Sequence, residues 1–194
     1  MKKSEPCFPL KAVDIYGITM ELKNANWKQL TRTLARRSST LTLLVGMPAS
    51  GKTTFVSSLC PGQHVINLDE IRKEHFNVRF DQDLEDQVFE IALNQARSIL
   101  ESSEKSVVID ETNLIPERRR QFIELAQELD IEVRAILFDP PIQECFMRNQ
   151  KRRKDKKVPH HAMSRMRDAF MRLIKQPDEI LKGEGIDKVH VLKF

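Results

Sequence analysis

A chain of 194 residues, 40% hydrophobic and 31% charged, has length for one domain with a proper core plus an appendage, and too much apolar content for a disordered protein. No apolar run approaches the ~18 residues of a membrane span, and Met1-Lys2-Lys3 leads into no signal-peptide core, which argues against a spanning or secreted chain. The net charge is only +4, but an isoelectric point near 9.0 favours an anionic partner wherever the basic residues cluster.

Residues 1–39 are read as an N-terminal extension, with a short strand over 14–19 and a helix over 24–37 that places Lys28, Arg32, Arg36 and Arg37 on one face. That face is either a solvated helix surface or a nucleic-acid contact. Ser38-Ser39-Thr40 reads as a hinge into a domain over 40–194. Cys7, Cys60 and Cys145 form neither a disulfide framework nor a zinc pattern; they suit a reducing, cytoplasmic setting, with Cys60 and Cys145 as core packing. The five histidines, scattered along the chain, show no metal-ligand spacing.

The apolar run beginning at Leu41 is a strand, and Gly46-Met-Pro-Ala-Ser50-Gly51-Lys52-Thr53-Thr54 follows it at once. Gly46, Gly51, Lys52 and Thr53 fit G-x-x-x-x-G-K-[ST] in the setting that a phosphate loop needs, between a buried strand and a helix N-terminus. Glycines there let backbone N–H groups turn toward phosphate oxygens, and the helix adds its positive end. Gly46, Ser50, Gly51, Lys52, Thr53 and Thr54 are therefore the candidate ATP-binding residues, with Lys52 reaching the β- and γ-phosphates and the Thr53 hydroxyl placed for Mg²⁺.

The following helix should stop at Pro61-Gly62, with a second strand over 65–68. Asp69, Glu70 and Arg72 come just after it, at the strand end where open α/β sheets bind ligands. Asp69 could take the proton from an acceptor hydroxyl. Arg72 would share its face on a helix, a spacing that also describes an ordinary surface salt bridge; Glu70 should face solvent. A helix is expected over 81–102 and a third strand over 106–109, ending in Asp110-Glu111-Thr112-Asn113. An acid after such a strand has the form of a Walker-B carboxylate, so Asp110 joins Thr53 as a candidate Mg²⁺ group. A helix from Pro116, a fourth strand over 131–138, a helix from Ile142, a Met and Phe helical stripe over 163–173 and a last strand over 188–194 complete the alternation. The pattern predicts an α/β fold of the P-loop type, a parallel sheet of about five strands with helices on both faces.

Seven of the ten residues from Arg148 to Lys157 are basic. Arg148 and Arg152, four apart on a helix, suit a lid over about 143–157 that offsets charge on a transferred phosphoryl group. Lys154 to Lys157 read equally as a solvated run or a nucleic-acid contact.

The segments 66–72 (Ile-Asn-Leu-Asp-Glu-Ile-Arg), 109–119 (Ile-Asp-Glu-Thr-Asn-Leu-Ile-Pro-Glu-Arg-Arg), Phe138-Asp139, 148–152 and Val158-Pro159 together resemble, in the same order, the polynucleotide 5′-hydroxyl kinase family, and in particular the kinase segment of the bacteriophage enzyme. The similarity runs from about Leu41 to beyond Phe170. It implies an ATP- and Mg²⁺-dependent kinase of 5′-OH DNA or RNA ends, with Asp69 as general base and Arg72 on the phosphate 3′ of the acceptor nucleoside. By the same resemblance Arg148 and Arg152 belong to the lid, and Glu111, Thr112 and Asn113 join Asp69 and Arg72 on the acceptor side. The phage enzyme carries its acid at the position of Glu111 and other members at that of Asp110; this chain has both, which leaves their roles undivided. No counterpart of the phage phosphatase domain is expected after residue 194. Two rivals stand beside this reading: a kinase of a small molecule or of an aminoacylated transfer RNA on the same core, and a nucleotide-gated binding module that phosphorylates nothing.

Overall fold

A computed structural model describes residues 39–57, 63–78, 80–102 and 106–194. The strand and helix expected before residue 38, and Cys7 and Cys60, lie outside the described residues.

Five strands form one parallel sheet in the order β2-β3-β1-β4-β5: β1 (Thr40–Val45), β2 (Gln63–Asn67), β3 (Ser106–Asp110), β4 (Glu132–Asp139) and β5 (Lys188–Lys193). Every residue of β1 and β3 is buried. This is the continuous apolar run expected of strands covered on both faces. Side-chain parity divides the core. Leu41, Leu43, Val107, Ile109, Val133, Ala135 and Leu137 enter a larger cluster, while Leu44, Val108, Ile136 and Phe138 enter a smaller one.

The smaller cluster is closed by Phe55 of α1 (Lys52–Val56), whose ring meets Phe138 edge to face at 5.6 Å. Residues of α2 (Leu68–Phe76), α3 (Glu85–Glu101), α4 (Pro116–Glu128), α5 (Ile142–Lys151), α6 (His160–Leu173) and α7 (Pro177–Gly183) supply the larger one. Cys145 is fully buried in it, as expected of a packing residue, and burial pushes its thiol up to about 11. Among the described residues no helix is long and apolar enough to cross a membrane.

Several boundaries differ from the sequence reading. Thr40 is no hinge; it is buried in β1 and donates to Ser106 Oγ at 3.1 Å. The second strand ends at Asn67 rather than 68, because Asn67 caps α2 by accepting from the N–H groups of Asp69 and Glu70. The helix expected from 81 opens as a 3₁₀ turn, Gln82–Leu84, with the Asp81 carboxylate accepting from Asp83 N–H. The last strand stops at Lys193. Helix α7 is absent from the sequence reading, although Pro177 at its first turn and glycine at its end are the ordinary marks of a short helix.

Candidate active site

Strand order reverses at β1, which lies between β3 and β4 although β2 and β3 follow it in sequence, so a crevice opens at the carboxyl end of β1. The phosphate-loop sequence sits there. Gly46 donates its N–H to the Thr112 carbonyl at 3.0 Å, and a Cβ on it would lie 3.1 Å from the Phe138 carbonyl oxygen, tighter than an ordinary contact. Gly51 caps α1 at φ 106°, a left-handed conformation that glycine adopts without strain.

The Lys52 ammonium is folded back over the loop, donating to the Gly46 carbonyl at 2.9 Å, the Met47 carbonyl at 2.8 Å and Ser50 Oγ at 3.4 Å. Burial pushes it down to about 8, against the pull of Asp110 and Glu111, and Arg152 adds to the lowering. Thr53 is exposed and Thr54 half-buried in the same first turn.

Strand register places Asn67 beside Asp110 and Asp110 beside Leu44, so the ends of β2, β3 and β1 form one row. Asp110 Oδ2 accepts from Asn67 Nδ2 at 2.8 Å and more distantly from the Thr53 hydroxyl at 3.5 Å. Burial holds the Asp110 carboxyl above its usual range despite Lys52 nearby, and the half-buried Glu111 is raised for the same reason, with Arg72 opposing. Both side-chain bonds to Asp110 fall on Oδ2. With Oδ1 and the Thr53 hydroxyl this is a hard-oxygen donor set that fits Mg²⁺, an ion that takes one or two carboxylates and fills its sphere with water and phosphate.

On the far side of Asn67, Asp69 opens α2 with its side chain 84% exposed. Arg72 Nη1 bonds Asp69 Oδ1 at 2.6 Å, while Nε and Nη2 grip Glu85 Oε1 and Oε2 at 2.7 and 2.8 Å. Arg72 and Glu85 are only 5% and 6% exposed, so this is a buried, bidentate pair and no surface salt bridge. Glu70 faces solvent, as expected.

Glu111, Thr112 and Asn113 come from one turn but do different things. Thr112 donates its hydroxyl to Glu111 Oε1 at 3.1 Å. Asn113, at φ 48°, turns its amide inward to the Leu44 carbonyl at 2.9 Å and the Ile109 carbonyl at 3.3 Å. Its own carbonyl accepts from the buried Arg119 guanidinium at 2.7 Å, which also pairs with Glu184. Asn113 therefore ties the turn to two strand ends.

The basic segment is partly helical. Arg148 pairs with Glu144 one turn back on α5, whereas Arg152 follows the helix end with extended backbone at ψ 151°. The Arg152 φ of −64° keeps it at the helical spacing from Arg148, and the chain leaves the helix only beyond it. The segment is closed at its base by buried Asn149, which donates to the Val158 carbonyl at 2.8 Å and accepts from Val158 N–H at 3.0 Å. Lys154, Lys156 and Lys157 are exposed.

Three residues that the sequence reading passed over thus organise the site: Asn67, Glu85 and Asn149. Only Asn67 carries a local signal, as an N-cap residue ahead of an amphipathic turn.

Nucleotide affinity should reflect the buried lysine. If the charged form binds phosphate, the dissociation constant for ADP should rise once pH exceeds about 8, approaching tenfold per pH unit. For folding the sign is opposite: the ammonium costs stability below about 8, and that cost is relieved as pH climbs from about 8 towards 10.5. Calorimetric titration with ADP from pH 7 to 9.5, beside Lys52→Arg as an always-charged control, checks the first statement. A flat wild-type profile would refute it.

Residues 41–173 match the profile described as an AAA domain. The chain is similar to a bifunctional polynucleotide phosphatase/kinase of Schizosaccharomyces pombe, 32% identical over 98 residues, 50% of this chain and 20% of that one. It is also similar to an L-seryl-tRNA(Sec) kinase of Methanococcus maripaludis, 26% identical over 134 residues, 67% of this chain and 52% of that one. The chain therefore spans from a fifth to about half the length of these relatives. A chain in the structure of the Pnkp1/Rnl/Hen1 RNA repair complex superposes with a TM-score of 0.62 at 18% identity, covering 75% of this chain and 48% of that one, a likeness of fold.

Proposed function

The chain belongs to the AAA domain family, with a nucleotide-binding P-loop on a kinase-like core, and from that premise we propose an ATP-dependent polynucleotide 5′-hydroxyl kinase. One observation carries the reading. Asp69 is a solvent-facing carboxylate, braced by a buried arginine and joined through Asn67 to the phosphate-loop side of the site. A nucleotide-gated module needs no such acid opposite its nucleotide; a kinase that must accept a hydroxyl proton does.

In this mechanism the γ-phosphoryl group of ATP passes in line to the 5′ oxygen of the acceptor. The O–H proton goes to an Asp69 oxygen as the bond to phosphorus forms and ADP leaves. The Arg72 bond fixes the carboxylate's orientation. Lys52, with Arg148 and Arg152 from the basic segment, offsets negative charge on the phosphates. Thr53 and Asp110 would hold Mg²⁺, which when bound would offset the negative charge of the phosphates.

The polynucleotide relative supports a nucleic-acid acceptor, and the seryl-tRNA(Sec) kinase relative supports a second reading in which the hydroxyl belongs to an aminoacylated tRNA. Incubation with γ-labelled ATP, Mg²⁺ and 5′-OH DNA, 5′-OH RNA, nucleoside or seryl-tRNA separates them. Label at oligonucleotide 5′ ends is expected; label on seryl-tRNA alone selects the second reading, and ATP hydrolysis without transfer refutes both.

Arg72 gives a sharper test. Three of its five N–H groups are used by Glu85 and Asp69, leaving two for a phosphate oxygen. Arg72→Lys keeps a cation against Glu85 but not the planar fork. It should lower kcat/KM roughly 10- to 100-fold on oligonucleotides and 3′-nucleotides, and far less on a bare nucleoside. Equal losses on both would remove Arg72 from phosphate recognition.

A further inference from the structure

Among the described residues Phe80 is the most exposed large hydrophobic side chain, at 63%, and its position is not arbitrary. The Arg72 guanidinium carbon lies 6.0 Å from its ring centroid, within reach of a cation–π contact. The same guanidinium bonds Asp69 at 2.6 Å. Phe80 therefore stands one side chain away from the acid that faces the acceptor.

The described backbone near Phe80 is hydrogen-bonded at Asn77, Val78 and Asp81. Helix α2 ends at Asn77, in the left-handed region at φ 53°, whose N–H donates to the Lys73 carbonyl at 3.1 Å. Val78 N–H then donates back to the carbonyl of Arg72 itself at 3.3 Å. Asp81, directly after Phe80, caps the 3₁₀ turn through its carboxylate. An aromatic ring that remains in water beside a charged pair is a flat surface awaiting a partner.

We infer that Phe80 is the stacking platform for the terminal base of the acceptor strand, so that the site selects acceptors carrying a nucleobase next to the reacting hydroxyl. The inference rests on the kinase reading above. A nucleoside base lies one ribose away from its 5′ oxygen, which matches a ring separated from Asp69 by the Arg72 side chain. Every base has a π face, so the contact favours bases over other acceptors without choosing among them. Arg72 behind the ring adds a cation that suits the phosphate following that base.

The test compares two 5′-OH oligonucleotides, one with an intact terminal base and one with an abasic terminal sugar, using wild type, Phe80→Ala and Phe80→Trp. Label transfer is measured, and equilibrium binding of both strands is measured separately by fluorescence anisotropy. Wild type should prefer the base-bearing strand by roughly 10- to 100-fold in KM and in binding. Phe80→Ala should erase that preference by losing affinity for the base-bearing strand alone, with kcat and ADP affinity unchanged, and Phe80→Trp should retain it. Equal behaviour of the two strands with wild type, or an equal loss on both with Phe80→Ala, would overturn the inference. A fall in ADP affinity instead would place the ring on the donor side and overturn it as well. If no strand is labelled, the kinase reading fails by itself. The binding measurement then still decides the platform, which stands if Phe80→Ala removes a base-dependent affinity and falls if it does not.

Discussion

Lys52→Ala is expected to reduce label transfer to background, by ~10³-fold or more for loss of a buried cation aimed at the transferred group. Lys52 is 7% exposed, and its ammonium is held within the phosphate loop by bonds to the Gly46 and Met47 carbonyls and Ser50. Yet the protein should fold as well as before, or better. Keeping an ammonium in that place costs free energy, which is why burial drives it down to about 8. Loss of turnover with an unchanged or raised melting temperature is the pattern of a residue retained for function. Transfer assays beside thermal denaturation at pH 7 check both halves; a variant that unfolds would make Lys52 a structural strut.

Asp69→Asn should leave nucleotide binding intact and cut turnover by ~10²–10⁴-fold, the contribution of a positioned general base. Stability should hardly change. The side chain is 84% exposed, asparagine still offers an oxygen to Arg72, and the α2 cap is made by Asn67 rather than by Asp69. The two variants differ in a way that can be read. Lys52→Ala should weaken ADP binding as well as turnover, whereas Asp69→Asn should spare the first. Near-normal transfer by Asp69→Asn would remove it from the chemistry and leave a surface acid beside an arginine.

The distribution of these residues along the chain shows why some roles can be read from sequence and others cannot. The phosphate loop is legible because its requirements are local: a buried strand, a glycine where a Cβ would strike the Phe138 backbone, a glycine at positive φ, then a lysine and a threonine in the first helical turn. The fold class is legible for a related reason. Alternating apolar strands and amphipathic helices leave a parallel sheet with covered faces as the economical arrangement, and five strands in that arrangement are found. Asp69 and Asp110 could be proposed because each follows a strand end, where such sheets bind ligands.

The partners of those acids were decided only in three dimensions. β2 crosses over to lie beside β3 rather than β1, and that crossover sets Asn67 against Asp110, 43 residues apart. Glu85 grips Arg72 from 13 residues away on another helix, burying the arginine while its neighbour Asp69 stays in water, a division that the Asp69–Arg72 spacing does not show. Asn113 stands in a segment that the resemblance assigns to the acceptor, but the structure commits its amide to the carbonyls of Leu44 and Ile109. Helical spacing set Arg148 near Arg152, but only the structure shows that Arg148 is paired with Glu144 and that the helix ends at Lys151. Backbone preferences act between near neighbours and leave a trace in the order of residues. A buried hydrogen bond across the sheet depends on which strands become adjacent, and that is settled by the packing of the whole domain.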